Sequence, residues 1–412
     1  MPDITTTFFY IFLFSTLYLQ VFFLVTFLEK GGSWRSPPNS QSRTDLPSVT
    51  IIVPCYNEEK TIAKTVQSLL ALEYPKEKLS IFIIDDGSTD ETFTIAKTFE
   101  GSPGISVFHK ENGGKASALN MGIAKSTSRL IGCLDADAFV EPNALSEIVA
   151  CFGQSDVMAV TPIIKVYEPK KIIQRIQRIE YLIGSVMKKS FSTVNALYVT
   201  PGPFSIYRRE VFETLGPFRD AHNTEDLEIA LRMQKKHLKI DNAHHAHVYT
   251  VAPDSVRKLY RQRTRWMYGF LKNAIDYRAL LLNPKHGHVG LFSLPFALLS
   301  IASGLYFTGL GIKSFINFLA GKVTEWSIVG LSLGFDIVPR WYALNTEASS
   351  FLVYTSLLFI LATIFVGSKI ANDDRGRLFD SILFVLCYGL LAPLWLTRAI
   401  VGVLVSKQSS WR

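Results

Sequence analysis

The pattern of apolar and polar positions divides this chain into regions that obey different rules. Residues 7–28, TFFYIFLFSTLYLQVFFLVTFL, carry no charge and are long enough to cross a bilayer as a helix. Further apolar runs cover 289–312, 351–368 and 379–397, which predicts a carboxyl-terminal membrane region. Residues 313–350 are open to three readings: an outer loop, a re-entrant segment or another crossing. Between the first and second runs the pattern shortens. VTIIVP (49–54), LSIFII (79–84), ISVFH (105–109) and RLIGCL (129–134) read as brief buried strands. Segments of helical period, 59–72, 90–99 and 114–126, separate them. Alternating units of this length predict an α/β fold, a mostly parallel sheet with helices on both faces.

These patterns predict an amino-terminal membrane helix over 1–29, a polar linker over 30–47, an α/β domain over 48–285 and membrane helices within 286–412. The composition agrees: 48% of residues are hydrophobic and only 19% charged. No Lys or Arg precedes the first span, whereas Lys30, Arg35 and Arg43 follow it. That asymmetry predicts an amino terminus outside and the α/β domain in the cytoplasm of a cell-membrane protein. A cleaved leader fits poorly, because a positive n-region and a small-residue cleavage site are missing. Cys55, Cys133, Cys151 and Cys387 form no metal-binding spacing, and cytoplasmic cysteines are expected as thiols.

In a sheet of this kind, ligands bind outside the carboxyl ends of the strands, so the polar residues there carry the chemistry. The first strand ends in PCYNEE (54–59), the second in DDGSTD (85–90) and the fourth in DAD (135–137). Asp135 and Asp137 alternate, and alternating strand residues face one side. Two carboxylates so placed repel each other unless a cation or hydrogen bonds compensate, and Mg²⁺ or Mn²⁺ prefers such oxygen donors. The competing reading makes Asp137 a cap for a helix beginning near Glu141–Pro142. NGGKASALN (112–120) offers two glycines, Lys115 and a helix start, the makings of an anion site or of an ordinary glycine turn. The chain contains no GxGxxG after its first strand and no GxxxxGK[ST], which argues against dinucleotide enzymes and P-loop ATPases. Glu225 and Asp226 open an amphipathic helix, where capping alone would explain acids. Residues 253–285 hold eight Lys/Arg against two Asp/Glu, and Gln262, Arg263, Arg265 and Trp266 fall within two helical turns there. Arg presents a fork for phosphate oxygens and Trp a flat face for a sugar ring.

The ordered set DDG (85–87), DAD (135–137), TED (224–226) and QRTRW (262–266) resembles the D, D, D, QxxRW signature of membrane-bound family 2 glycosyltransferases. The nearest pattern is that of the processive synthases of poly-N-acetylglucosamine, cellulose and hyaluronan. The resemblance covers residues 48–285 and includes PCYNEE, NGGKASALN and TPGPFSIYRRE (200–210). It implies a GT-A-like fold flanked by membrane and interfacial helices, with an inverting transfer from a UDP-sugar to a β-linked glycan that is exported through the membrane helices. Within it, Pro54, Tyr56, Glu58, Asp85, Asp86, Lys115, Asp135, Gln262, Arg263, Arg265 and Trp266 would hold the nucleotide-sugar. Asp135 and Asp137 would hold Mg²⁺ or Mn²⁺, and Asp226 would be the general base. Gly202, Phe204, Glu225 and Trp266 would meet the acceptor, a glycan or glycolipid. A proline within TPGPF departs from the small-residue segment of related synthases and leaves the acceptor open.

Residues 170–190 set Ile172, Ile173, Ile176, Ile179, Ile183 and Val186 at helical spacing opposite six Lys/Arg. This is a core helix or, as the basic face favours, an interfacial helix touching membrane lipids; a second such helix is expected near 255–283. AHHAHV (243–248) reads as a surface strand rather than a zinc site, since no carboxylate or Cys stands at ligand spacing. Nucleic acid is not an expected partner, and a small membrane partner subunit is compatible with the family resemblance. Two other functions compete with the synthase: a distributive transferase acting on a lipid carrier, and a transporter or scaffold with an inactive nucleotide domain.

Overall fold

The computed structural model describes residues 4–30, 46–330, 347–373, 375 and 377–405. Helix α1 (Ile4–Lys30) precedes an α/β domain of eight strands: β1 (Val49–Cys55), β2 (Leu79–Asp85), β3 (Ile105–His109), β4 (Leu130–Cys133), β5 (Ala138–Val140), β6 (Val157–Val166), β7 (Ser205–Arg208) and β8 (Lys239–Thr250). They form one sheet in the order β3-β2-β1-β4-β7-β6-β8-β5. The pairs β1–β2, β2–β3, β1–β4 and β6–β8 are parallel, while β4–β7, β6–β7 and β5–β8 are antiparallel. Strands β1 to β4, legible in the sequence, form a parallel group, and the segment 243–248 read as a surface strand falls within β8. β5 and β7 were harder to read because they are only three and four residues long.

Helices α2 (Ile62–Leu70), α3 (Thr92–Lys97), α4 (Lys115–Lys125), α5 (Ala144–Cys151), α6 (Ile172–Thr193), α7 (Arg209–Leu215), α8 (Glu225–Lys235) and α9 (Val256–Asp276) complete the domain. Alternation along β1 separates two cores. Ile51 and Val53 pack with Val66, Leu69 and Ile148 on one face, and Ile52 packs with Leu119 and Leu231 on the other. The chain leaves β1 toward β2 and β3, then returns to place β4 on β1's other side. That reversal opens a crevice at the carboxyl ends of β1 and β4.

The membrane region has helices α10 (Leu294–Val329), α11 (Ala348–Ile370) and α12 (Arg377–Leu404). Four helical segments, Ile4–Lys30, Val289–Ile328, Ala348–Ile370 and Leu378–Leu404, have the length and composition to cross a membrane. The second exceeds its expected 289–312 because α10 continues to Val329, so 313–329 is helix rather than loop. Residues 331–346, like most of the expected linker, lie outside the described residues.

Helix α6 lies between the sheet and these helices. Ile179 and Leu182 meet Ile163 of β6 on one side and Ile364 of α11 on the other. Its basic face is not simply solvated: Arg178 is buried and donates to Asp380, 2.8 Å away on α12. The single charge in the last apolar run is thus paired with protein. An aromatic seam of Phe22, Phe191 and Phe292 holds α1 and α6 against the chain entering α10, with Phe22 and Phe292 centroids 4.7 Å apart.

Candidate active site

Strand ends supply the first side chains. After β1 the chain turns through Asn57, whose φ is 55°. Asn57 accepts from Thr89 N–H at 2.8 Å, and Glu58 N–H donates to Thr92 at 2.7 Å, so the loops after β1 and β2 are laced together. Asp85, the last residue of β2, is fully buried and pairs with His109 at 2.6 Å. Asp86 faces the crevice. It receives Lys110 at 2.6 Å, Gly113 N–H at 3.1 Å and Gly114 N–H at 2.8 Å. The two glycine N–H groups of the expected anion cradle before α4 are therefore occupied by the protein's own carboxylate. Gly114, at φ 82°, provides the left-handed turn that mounts Lys115 at the first position of α4.

The DAD segment lies on no strand. β4 ends at Cys133 and β5 begins at Ala138, so Asp135 and Asp137 occupy the turn between them, which Ala138 N–H closes onto the Asp135 carbonyl at 3.0 Å. The expected strand alternation does not orient them; the turn does. The capping alternative fails as well, because Asn143 precedes α5. Lys115 Nζ lies 2.6 Å from Asp135 Oδ1 and 3.0 Å from Glu225 Oε1, bridging DAD to TED. Asp137 is pushed up to about 7 by burial, then by the charges of Asp135 and Glu58. A pocket that resists a second negative charge and offers hard oxygen donors suits a divalent cation. Among the described residues no three His, Cys, Asp or Glu side chains form a ready metal cage. Two carboxylates completed by substrate phosphates are the arrangement Mg²⁺ commonly takes.

Glu225 and Asp226 open α8, with Thr200 N–H and hydroxyl donating to the Asp226 carbonyl at 3.3 and 2.8 Å. Asp226 is raised to about 6, by burial first and by its neighbour Glu225 second. Burial also works to raise Glu225, but the charge and hydrogen bond of Lys115, a backbone hydrogen bond and the charge of Arg265 together outweigh it and leave that carboxyl below its ordinary value. Neighbouring acids with opposite shifts are a pattern of acid–base sites. Asp226 Oδ1 also accepts Leu227 N–H at 2.8 Å, so it has a capping role too.

Helix α9 carries the last motif. Arg265 donates to the Asn223 carbonyl at 2.9 Å and so braces the loop leading into TED. Arg263 is buried; it pairs with Glu180 on α6 at 2.6 Å, donates to Gln262 at 2.8 Å and sits 4.2 Å from the Trp266 ring centroid. Trp266 remains partly exposed.

A cavity of about 1580 Å³ collects these groups. It is lined by Pro54, Tyr56, Glu58, Asp86, Lys115, Asp135, Asp137, Gly202, Glu225, Asp226, Gln262, Arg263, Arg265 and Trp266. Two predicted residues do not line it. Asp85 is turned to His109, and Phe204 is wholly buried, its N–H donating to the Cys133 carbonyl at 2.8 Å. Sequence reasoning missed Thr200, Glu180 and Lys110. Thr200 had a visible signal, its place at the head of TPGPF; the other two carry none. The His segment forms part of β8, and the fold brings Glu141 to His247 at 3.0 Å, a carboxylate that spacing had not supplied.

Residues 50–216 match the model of Glycosyl transferase family 2. Similar curated proteins are named poly-beta-1,6-N-acetyl-D-glucosamine synthase. That of Staphylococcus aureus (strain COL) is 33% identical over 229 residues, covering 55% of each chain. That of Staphylococcus epidermidis (strain ATCC 35984) is 28% identical over 266 residues, covering 62% of this chain and 64% of the relative. The chain thus spans little more than half the length of the S. aureus relative. The mannosyltransferase PcManGT from Pyrobaculum calidifontis, solved with GDP-Man and Mn²⁺, shares the fold. Its TM-score is 0.59 at 19% identity, covering 97% of this chain and 99% of that one.

Proposed function

We propose that this protein is an inverting glycosyltransferase moving a sugar from a UDP-sugar to a growing β-linked polysaccharide that leaves between its own membrane helices. The observation that carries this reading is the extent of the cavity. It continues from the acids at the sheet edge, past Trp266, to Leu19 of α1, Phe296 and Ser300 of α10, and Trp395 of α12. That extension suits an acceptor held at the membrane, a growing glycan or a lipid-linked sugar, and the length of the product separates the two. The names of the similar synthases make UDP-N-acetylglucosamine the first donor to test.

In the reaction, the acceptor hydroxyl forms a bond to the sugar's C1 as the bond from C1 to the diphosphate oxygen breaks. Asp226 takes the hydroxyl proton, and its raised pKa of about 6 suits a base working near neutrality. Attack opposite the leaving group inverts C1, so an α-linked donor gives a β-linkage. Asp135 and Asp137 would hold Mg²⁺ or Mn²⁺, which when bound stabilises charge on the departing diphosphate. Lys115 adds a cation at the same edge, and Trp266 presents a ring face to the acceptor sugar. Arg265 holds the loop that leads into α8, the helix that carries Asp226. The catalytic domain is assigned to the cytoplasmic side of the cell membrane by the basic residues that follow the first apolar span.

Incubating membranes with radiolabelled UDP-sugars and sizing the product tests this. A ladder or high-mass polymer is expected; a single lipid-linked sugar would establish the distributive alternative, and no transfer from any UDP-sugar would overturn the enzyme reading.

A further inference from the structure

Lys115 joins three motifs that lie far apart in the chain. Its ammonium reaches Asp135 Oδ1 at 2.6 Å and Glu225 Oε1 at 3.0 Å, with its side chain only 16% exposed. The TPGPF segment closes over this contact. A Cβ at Gly202 would stand 2.6 Å from Lys115 Nζ and 2.7 Å from Asp135 Oδ2, so the pair fills the space that any larger residue would need. A divalent cation binds a carboxylate oxygen at about 2.0–2.1 Å for Mg²⁺. An ammonium 2.6 Å from Asp135 Oδ1 already neutralises that carboxylate and weakens its pull on a second cation. Two cations side by side there would also repel.

We propose that Lys115 is an exchange cation: it occupies Asp135 while the donor site is empty and releases it only when a diphosphate arrives to receive the ammonium. A divalent cation alone then competes with Lys115 for Asp135 and binds poorly. A cation accompanied by a nucleoside diphosphate does not compete, because the phosphates offer Lys115 a new anionic partner and Glu225 remains within its reach. Lys115 thereby couples metal occupancy to donor occupancy and keeps the acid cluster neutralised between turnovers. The inference rests on the reading of this site as a nucleotide-sugar site, and it adds a role for Lys115 in the donor-free protein.

The test measures Mn²⁺ binding to the full chain in detergent, by electron paramagnetic resonance of the free ion, with and without UDP. Wild type is expected to bind Mn²⁺ weakly alone and much more tightly with UDP. Lys115→Met is expected to bind Mn²⁺ alone about tenfold more tightly while the gain from UDP shrinks, a coupling change within the usual allosteric range. Lys115→Arg, which keeps the charge, should leave Mn²⁺ alone weakly bound. Lys115→Gln serves in place of Lys115→Met if circular dichroism shows the latter misfolded. Unchanged or weaker binding of Mn²⁺ alone to a folded, uncharged variant would overturn the exchange, as would tightening by Lys115→Arg equal to that of Lys115→Met. Failure of wild type to bind UDP at all would count against the donor-site reading, while the comparison in Mn²⁺ alone would still decide the competition between Lys115 and metal.

Discussion

Arg263 Nη2 lies 2.6 Å from Glu180 Oε2, tying the QRTRW helix to α6. The guanidinium is buried, so removing its partner strands a charge away from water. Glu180→Ala is expected to destabilise the protein by about 1–3 kcal/mol. That is below the range for fully buried pairs, because Glu180 is a quarter exposed. A lowered thermal midpoint with UDP affinity close to wild type would confirm that Arg263 fastens helices rather than gripping the donor. Lost UDP affinity at an unchanged midpoint would return Arg263 to the diphosphate.

Asp226→Asn keeps the side chain's shape and removes its capacity to take a proton. Turnover should fall by roughly 10²–10⁴-fold while UDP binding survives. In the wild type the carboxyl must be ionised to act as base, so turnover should rise with pH through about 6 and level off above it. Activity of Asp226→Asn within a few-fold of wild type would leave the residue only its hydrogen bond to Leu227.

Asp137→Ala removes one of the two carboxylates proposed for the divalent cation. Calorimetry should show that Mn²⁺ no longer tightens UDP binding to this variant, whereas in Asp226→Asn it still does. Metal-dependent UDP affinity equal to wild type in Asp137→Ala would exclude Asp137 as a ligand.

Gly202→Ala tests how closely TPGPF packs on the ion pair beneath it. The added methyl would come within 2.6 Å of Lys115 Nζ and 2.7 Å of Asp135 Oδ2, so one of them must move. Transfer should drop at least tenfold, roughly the cost of displacing a catalytic group by a fraction of an ångström. The thermal midpoint should change little, since the displaced groups border a cavity. Full activity in Gly202→Ala would mean that the pair's geometry is not needed for transfer.

Much of this protein was legible because its local rules are strong. Unbroken apolar length set the four candidate membrane segments, and short apolar runs ending in Asp or Glu set β1, β2 and β4 with the acids at their mouths. Backbone geometry and burial act within a few residues, so the chain states them directly. What each polar side chain would hold was another matter. The sequence offered the two glycines before α4 as an anion cradle, and the fold filled it with Asp86. It grouped Arg263 with the donor ligands, and the fold gave it to Glu180 on another helix. It set Asp135 and Asp137 on a strand, and the fold put them in a turn where Lys115 claims one and burial raises the other. A charged group takes whichever partner long-range packing brings within about 3 Å, and no local periodicity encodes that meeting. The sequence by itself determined the elements and the edge where the acids gather; only the tertiary structure decided which of them face the cavity and which are spent holding it together.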